Sequence, residues 1–497
     1  MDFLDPQKQR KQRYIFGIGY ALIAVAILIA TVILLYLAYG FGFGKNGQII
    51  QNGLVFLSTQ PSPATIYVNG EPIKKKTDSR VQLPAGDYDI KLTRPGYRDW
   101  ERSITVDGAT VQHFDYPFLF PISLTTSPVH TEQNAPPLAL QSPDRRWLLT
   151  ENAANLASFA MYDLNNPQQA STVVTIPDSV LTKPDAGGTE SYQLSEWSTD
   201  NKHILLSHTF TGGQEYIMID RTAPQNSVNV TRQLKLAAGQ VLSLRNKQFD
   251  HYFILDPASQ TLYTADLGNV TLTPYLQKVL AFKSYGSDTV LYASSQDVDA
   301  NKSQVILHQN GNDFPIRQID AQPPYLLDLT KYNGTLYTAL GASGDNEVYV
   351  YQDPVGQLQR SPTHTAVPVN VLRVTSPNYL SFSSNAQFIV IENGPQFSVY
   401  DAESDKKFTY TVPTNLDAGQ SHAVWMDGDR LTLVSGGKLV VFDYDHTNVQ
   451  TLVAADPHYA PFFDRNYKFL YTLAPAGAKT PAGATLTSTS LLTKQDQ

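Results

Sequence analysis

Four short constellations in this 497-residue chain have residue types that could do chemistry. Ser435-Gly436-Gly437-Lys438 has the S-x-x-K spacing of an acylating serine. That nucleophile belongs at a helix start, whereas the apolar runs Leu431 to Val434 and Leu439 to Phe442 make this motif a hairpin tip. Asp297-Val298-Asp299-Ala300-Asn301 opens like a calcium loop, but Lys302 stands where such a loop needs glycine and His308 where it needs a bidentate glutamate. A polar hairpin loop is the reading. His203 and His208 fall an odd number apart in one strand, point to opposite faces and cannot chelate together. Gly341-Ala342-Ser343-Gly344 lacks the spacing of a nucleophile elbow and precedes no helix. Cysteine is absent, which excludes thiol nucleophiles, thiolate zinc sites, disulfides and a lipidated N-terminal cysteine. No catalytic residue, metal ligand or cofactor is assigned.

The elements that would position any site are mostly strands. Charged residues are only 16%, and Tyr (28) and Phe (22) far outnumber Met (4), a balance that favours strands over helices. One segment is different. From Tyr14 to Phe43 no residue is charged, a run longer than the roughly 20 residues that cross a bilayer. Lys8, Arg10, Lys11 and Arg13 precede it, so the positive-inside rule keeps residues 1–13 cytoplasmic and puts the rest outside, and Tyr14, Tyr36 and Tyr39 suit the interfaces. A cleaved signal peptide is the rival reading, but its apolar region is shorter and no A-x-A site follows here. A soluble helix of this length would show a polar face. Residues 1–13 carry a local +2 against −8 for the whole chain, leaving −10 for the remainder, which makes nucleic acid an unsuitable partner.

Residues 44–53 read as a Gly-rich linker, followed by a small β-sandwich over 54–120. Its short β-favouring runs are separated by Asn69-Gly70, Pro84-Ala85-Gly86-Asp87, Pro95-Gly96 and Asp107-Gly108, all turn formers. The segments from Pro61 to Gly70, Leu83 to Tyr88 and Pro95-Gly96-Tyr97 with Trp100 resemble the PEGA domain family. Ser62-Pro63 stands where the Glu-Gly pair of that family would be. The resemblance implies an extracytoplasmic β-sandwich of an envelope protein. Tyr97 and Trp100 read as core aromatics rather than a sugar platform. Lys74, Lys75 and Lys76 read as a solvated turn, with contact to an anionic wall polymer or lipid headgroups as the functional alternative.

A second linker is expected at 121–137, rich in Pro, Ser, Thr and Asn, and a repeat fills 138–497. Ser142-Pro143-Asp144-Arg145 before Trp147, Ser198-Thr199-Asp200-Asn201 before His203, and Phe382-Ser383-Ser384-Asn385 before Phe388 share one pattern. Weaker copies surround Arg245, Gly286, Asn333, Trp425 and Phe463. These eight units recur at about 40 to 55 residues, the spacing of propeller blades. A second signature ends a later strand on Asp: Asp163, Asp220, Asp266, Asp401 and Asp443. The set resembles the blade repeat of TolB-type and WD40-like propellers. Seven or eight blades fit, because the first and last units could complete a shared blade. The recurring Asp residues read as turn caps.

The fold class is therefore an all-β ectodomain, a small sandwich plus a seven- or eight-bladed β-propeller, on one transmembrane α-helix over 14–43. The expected function is a membrane-anchored, extracytoplasmic binding or scaffold protein rather than an enzyme. The bilayer would hold its helix, and a partner protein or cell-wall glycan would meet its loops. Candidate contacts are Lys74, Lys75, Lys76, Asp297, Asp299, Asn301, Asp345 and Asn346. The alternative is an envelope enzyme whose site is assembled from loops of several blades.

Overall fold

The computed structural model describes residues 6–38, 41–43, 49–184, 186–296, 298–361, 365–413, 416–417, 419–420, 422–477 and 480–496. They form two compact units, residues 1–123 with 492–497 and residues 124–491.

The first unit opens with the helix Pro6–Ala38. Within it Arg13–Tyr36, 24 residues of mean hydropathy 2.8, has no part buried by the rest of the chain. At 1.5 Å per residue this is about 36 Å, long enough to cross a hydrocarbon core of about 30 Å. The helix begins earlier and ends earlier than the expected span of 14–43. Phe41–Phe43 is already a strand and pairs antiparallel with Ile49–Gln51. The expected linker 44–53 is corrected accordingly, because its second half is the start of the nine-residue strand Ile49–Leu57. Two adjacent β-branched residues, Ile49 and Ile50, oppose the Gly-rich character that suggested a spacer.

The sandwich has two four-stranded sheets. In the first, Ile49–Leu57 is flanked by Phe41–Phe43 and Ser79–Pro84 and also pairs in parallel with Val111–Phe114. The second runs Glu71–Lys76, Thr65–Val68, Gly86–Thr93, Trp100–Val106. Alternation puts Val55, Leu57, Ile66, Val81, Leu83, Ile90, Leu92 and Ile104 between the sheets with Tyr97 and Trp100. The two aromatics are each 2% exposed, in keeping with their reading as core. The C-terminal tail returns to this unit. The Tyr97 hydroxyl donates to Asp496 Oδ2 at 2.7 Å and accepts from the Thr493 amide at 3.0 Å, while Arg94 pairs with the same carboxylate. Residues 492–496 are therefore part of the sandwich unit and not, as expected, of the propeller.

The second unit contains eight four-stranded antiparallel sheets among its described residues. The choice between seven and eight blades is settled at eight. With strands a to d in sheet order, blade one spans 139–175, blade two 190–229, blade three 241–276, blade four 279–320, blade five 325–373, blade six 379–411 and blade seven 424–454. Blade eight takes strands a to c from Phe462–Phe463, Phe469–Pro475 and Ala484–Ser490, and its strand d is Thr125–Glu132. The expected linker 121–137 thus holds the strand that closes the ring. Its Pro and Ser residues suggested a loop, but an outermost strand tolerates Pro where no ladder bond is required. No blade buries its own faces. The apolar clusters join neighbours instead, as where Leu149 and Phe159 of blade one meet Ile204 and Ile217 of blade two.

Trp197, Phe382, Trp425 and Phe463 each end strand a, opposite Ile204, Ile389, Leu431 and Leu470 of strand b. The repeated aromatic is thus a packing position. Trp197 and Phe463 are buried, at 8% and 3% exposure, while Phe382 and Trp425 are half-buried. Phe463→Ala should then cost about 3–5 kcal/mol, and Trp425→Ala less, because its ring already meets solvent. Urea melts of the two variants check the order; equal losses would contradict it.

Candidate functional site

Turns between strands a and b crowd one end of the propeller, and turns between b and c the other. In the a–b turns, Ser142, Ser198, Ser383 and Asp464 each accept, through the main-chain carbonyl, from the amide three residues on, at 2.8, 3.2, 2.9 and 3.1 Å. That third residue is left-handed, with φ of 60° at Arg145, 57° at Asn201, 64° at Ala386 and 53° at Tyr467. The side chains of Ser142, Ser383 and Asp464 also accept from the first amide of strand b, at 2.9, 3.0 and 2.6 Å. At the c–d turns, Asp163 accepts from Asn165 N at 3.0 Å, Asp220 from Thr222 N at 2.8 Å and Asp401 from Glu403 N at 3.0 Å. The recurring carboxylates are local caps.

Arg145 does something its equivalents do not. Its guanidinium lies 4.6 Å from the ring centroid of Tyr467 in blade eight, and Nη2 donates to the Met426 carbonyl of blade seven at 3.2 Å. Tyr467 donates to the same carbonyl at 3.3 Å. One arginine of blade one thus reaches over the closing blade to the next. Beside it Asp427 and Arg430 form a buried ion pair, and Arg430 stands opposite Asp443 in the strand register. Burial, then the charge of Asp427, pushes Asp429 up to about 7.

The b–c end holds the proposed contact loops. Asp299 and Asn301 are exposed in the turn of blade four. Their carbonyls accept from Lys302 N at 2.9 Å and Ala321 N at 3.2 Å. Asp297 lies outside the described residues. Asp345 and Asn346, in the turn of blade five, have side chains engaged inside the protein. Asp345 Oδ2 accepts from Asp320 N at 2.9 Å and Asn346 Oδ1 from Ser376 N at 2.6 Å, so these two are fastenings between elements rather than free contacts. The structure brings the two loops near one another through the segment Asp320–Ala321. Lys74, Lys75 and Lys76 are not in a turn but on the edge strand Glu71–Lys76, where Pro72 and the lysines discourage pairing with another chain. Lys75 lines a groove, beside Arg80 and Gln82.

Near the same b–c end lie buried acids that the sequence reading missed. Glu151 and Glu392 occupy one place in blades one and six, each nine residues after the turn serine. Both are 1% exposed. Burial, joined for Glu151 by the charge of Glu190, pushes each up to about 8. Glu392 Oε1 accepts from Ala423 N at 2.8 Å, whereas neither oxygen of Glu151 has a hydrogen-bond partner among the described residues. In blade two His208, wholly buried, places Nδ1 3.0 Å from Glu215 and Nε2 3.1 Å from Glu190, and stacks on Tyr192 at 4.4 Å. Both contacts are hydrogen bonds to ionised carboxylates only when the ring carries both protons. Burial alone would raise Glu215, but hydrogen bonds from His208, Thr182 and Asn229 outweigh it and hold the carboxyl at about 2. His203 faces away, stacked on Phe249, as its odd spacing from His208 requires. The repeated S-x8-E spacing was the available signal for the two glutamates. Nothing local could reveal that His208 meets Glu190 and Glu215 across two other strands.

Residues 52–119 match the PEGA domain family. No curated protein matches the chain in sequence. Among solved structures, the Dos1 propeller is 13% identical, with 74% of this chain and 96% of that one covered and a TM-score of 0.47. An oligogalacturonate lyase in complex with manganese is 14% identical over 73% of this chain and 99% of that one, with a TM-score of 0.39. Hsv2 of Kluyveromyces lactis is 12% identical over 64% of this chain and 98% of that one, with a TM-score of 0.39. At such identities the likeness is one of fold. The chain thus joins a PEGA domain at 52–119 to an eight-bladed β-propeller at 124–491, behind one apolar helix long enough to cross a membrane.

Proposed function

We propose that this is a single-pass envelope protein of the cell membrane, with its basic N-terminus cytoplasmic and its ectodomain outside, serving as a binding or scaffold module. Its PEGA domain stays at the membrane, while a propeller of the TolB or WD40-like kind presents loops to an envelope protein or cell-wall glycan. The observation that carries the reading is the helix: Arg13–Tyr36, 24 residues of mean hydropathy 2.8 that the rest of the chain does not bury, charged only at Arg13, preceded by Arg10 and Lys11, and joined closely to the PEGA domain. The propeller fits a binding role because its buried titratable groups are enclosed between strands, so a partner meets loops such as the one holding Asp299 and Asn301.

Protease added to intact cells should remove the ectodomain and spare the first 13 residues; a protected propeller would refute the topology. Ectodomain capture on cell-wall fractions and envelope extracts tests the rest. Asp299→Ala with Asn301→Ala should reduce capture about tenfold at an unchanged melting temperature, roughly the effect of losing a few polar contacts. Unchanged capture would remove this loop from the partner surface.

A further inference from the structure

The outer face of the sandwich's first sheet combines three properties. It is close to the end of the helix, because Phe41 follows Ala38 by three residues, at most about 10 Å of extended chain. Tyr36 and Phe41 stack at 5.0 Å, which ties the hairpin to the helix end. Gln51 pairs with Phe41, and from Asn52 onward the same strand forms one wall of a groove of about 430 Å³.

The face is also cationic and apolar together. Leu54 stands opposite Gln82 and beside Val111, and Phe56 stands opposite Arg80 and beside His113, so these side chains share one side of the sheet. Val111 is 56% exposed. Lys75 reaches the groove from the edge of the other sheet and donates to the Arg80 carbonyl at 2.7 Å. No Asp or Glu lines the groove. Neither Lys75 nor Arg80 has a carboxylate partner among the described residues, whereas Lys91 on the second sheet is held by both Asp99 and Glu101.

We infer that this face rests on the bilayer, with Lys75 and Arg80 taking the phosphates of anionic phospholipids and Leu54 and Val111 meeting the glycerol and upper acyl region. The inference rests on the helix being a membrane anchor. A sandwich held within about 10 Å of a bilayer must turn some face towards the headgroups, and cations beside uncovered apolar groups suit that layer.

The full chain in lipid nanodiscs provides the test. Because it has no cysteine, Val111→Cys can carry a single polarity-sensitive fluorophore, with Ser103→Cys on the opposite sheet as control. Quenching by brominated lipid should be at least about twofold greater for the Val111 label in discs containing phosphatidylglycerol than in phosphatidylcholine discs, with the Ser103 label indifferent. Each cation replaced in Lys75→Glu and Arg80→Glu should weaken the lipid dependence about fivefold, and about 0.5 M salt should weaken it too. Both side chains are exposed, so the melting temperature should hold. Equal quenching in the two lipids, or indifference to the charge reversals, overturns the inference while leaving the anchor in place. Release by millimolar glycerol phosphate at constant ionic strength would make free phosphate the ligand and overturn the bilayer assignment. A chain that does not enter nanodiscs at all overturns the anchor reading together with this one.

Discussion

Glu392→Gln should stabilise the propeller above pH 8 and, below pH 5, cost it no more than the about 1–3 kcal/mol of an unpaired amide donor. The carboxyl is 1% exposed, and burial raises it to about 8, against about 4.3 for an unperturbed glutamate. The folded state therefore holds a proton that the unfolded chain releases between those values. With more protons bound in the folded state, stability falls as pH rises. This contribution is whole below about pH 4.3 and is lost as pH climbs to about 8. Its full size is roughly 4–5 kcal/mol at about 1.4 kcal/mol per pH unit, an upper bound for a site that can relax. Glutamine keeps the acceptor for Ala423 N, but its new amide donor can cost about 1–3 kcal/mol if left unpaired. The net gain at pH 9 is then about 1–4 kcal/mol. Urea denaturation at pH 5, 7 and 9 measures it, and a wild type and variant with the same pH slope would show that Glu392 does not titrate in this range. Glu151, in the same place of blade one, should behave likewise. Glu215 has the opposite sign: held at about 2 by its hydrogen bonds, it contributes stability above about pH 4.3 that is lost as pH falls towards 2.

A propeller fragment beginning at residue 138 should fail where one spanning 124–491 folds. The earlier start loses Thr125–Glu132, which pairs with Ala484–Ser490 through seven residue positions, from Glu132 opposite Ala484 to Thr125 opposite Ser490. It also loses the Ala135 amide bond to Ala482 O at 2.7 Å and the Tyr459 hydroxyl bond to Pro136 O at 2.6 Å. At about 0.5–1.5 kcal/mol for each hydrogen bond, the loss is several kcal/mol, comparable with the whole stability of many domains. The bared strand would also present an unpaired edge to other copies. Circular dichroism, melting and size-exclusion chromatography of the two fragments make the comparison. A shorter fragment that is monomeric and melts with the longer one would mean that the ring does not depend on this strand. Leaving out residues 492–496 should not matter to either fragment, since that tail belongs to the sandwich unit.

What the sequence determined by itself was local and repeated. The uncharged run before Tyr36 needs no partner to be recognised, because the capacity to cross a membrane depends on length and apolarity alone. The turn pairs of the PEGA domain and the Ser-x-Asp turns of the blades are set by residues a few positions apart, and eight weak copies in register identify a propeller. The capping role of Asp163, Asp220 and Asp401 was legible for the same reason. Only the tertiary structure decided what depends on pairing across hundreds of residues. Thr125–Glu132 looks like a linker until Ala484–Ser490 lies beside it, and Asp496 looks like part of the propeller until Tyr97 and Arg94 hold it. Lys75 read as part of a solvated turn because nothing nearby in sequence shows a sheet edge or the groove shared with Arg80. Glu151 and Glu392 were missed because their protonation is set by burial, a property of the closed ring rather than of any segment, and His208 because the carboxylates it meets lie on other strands.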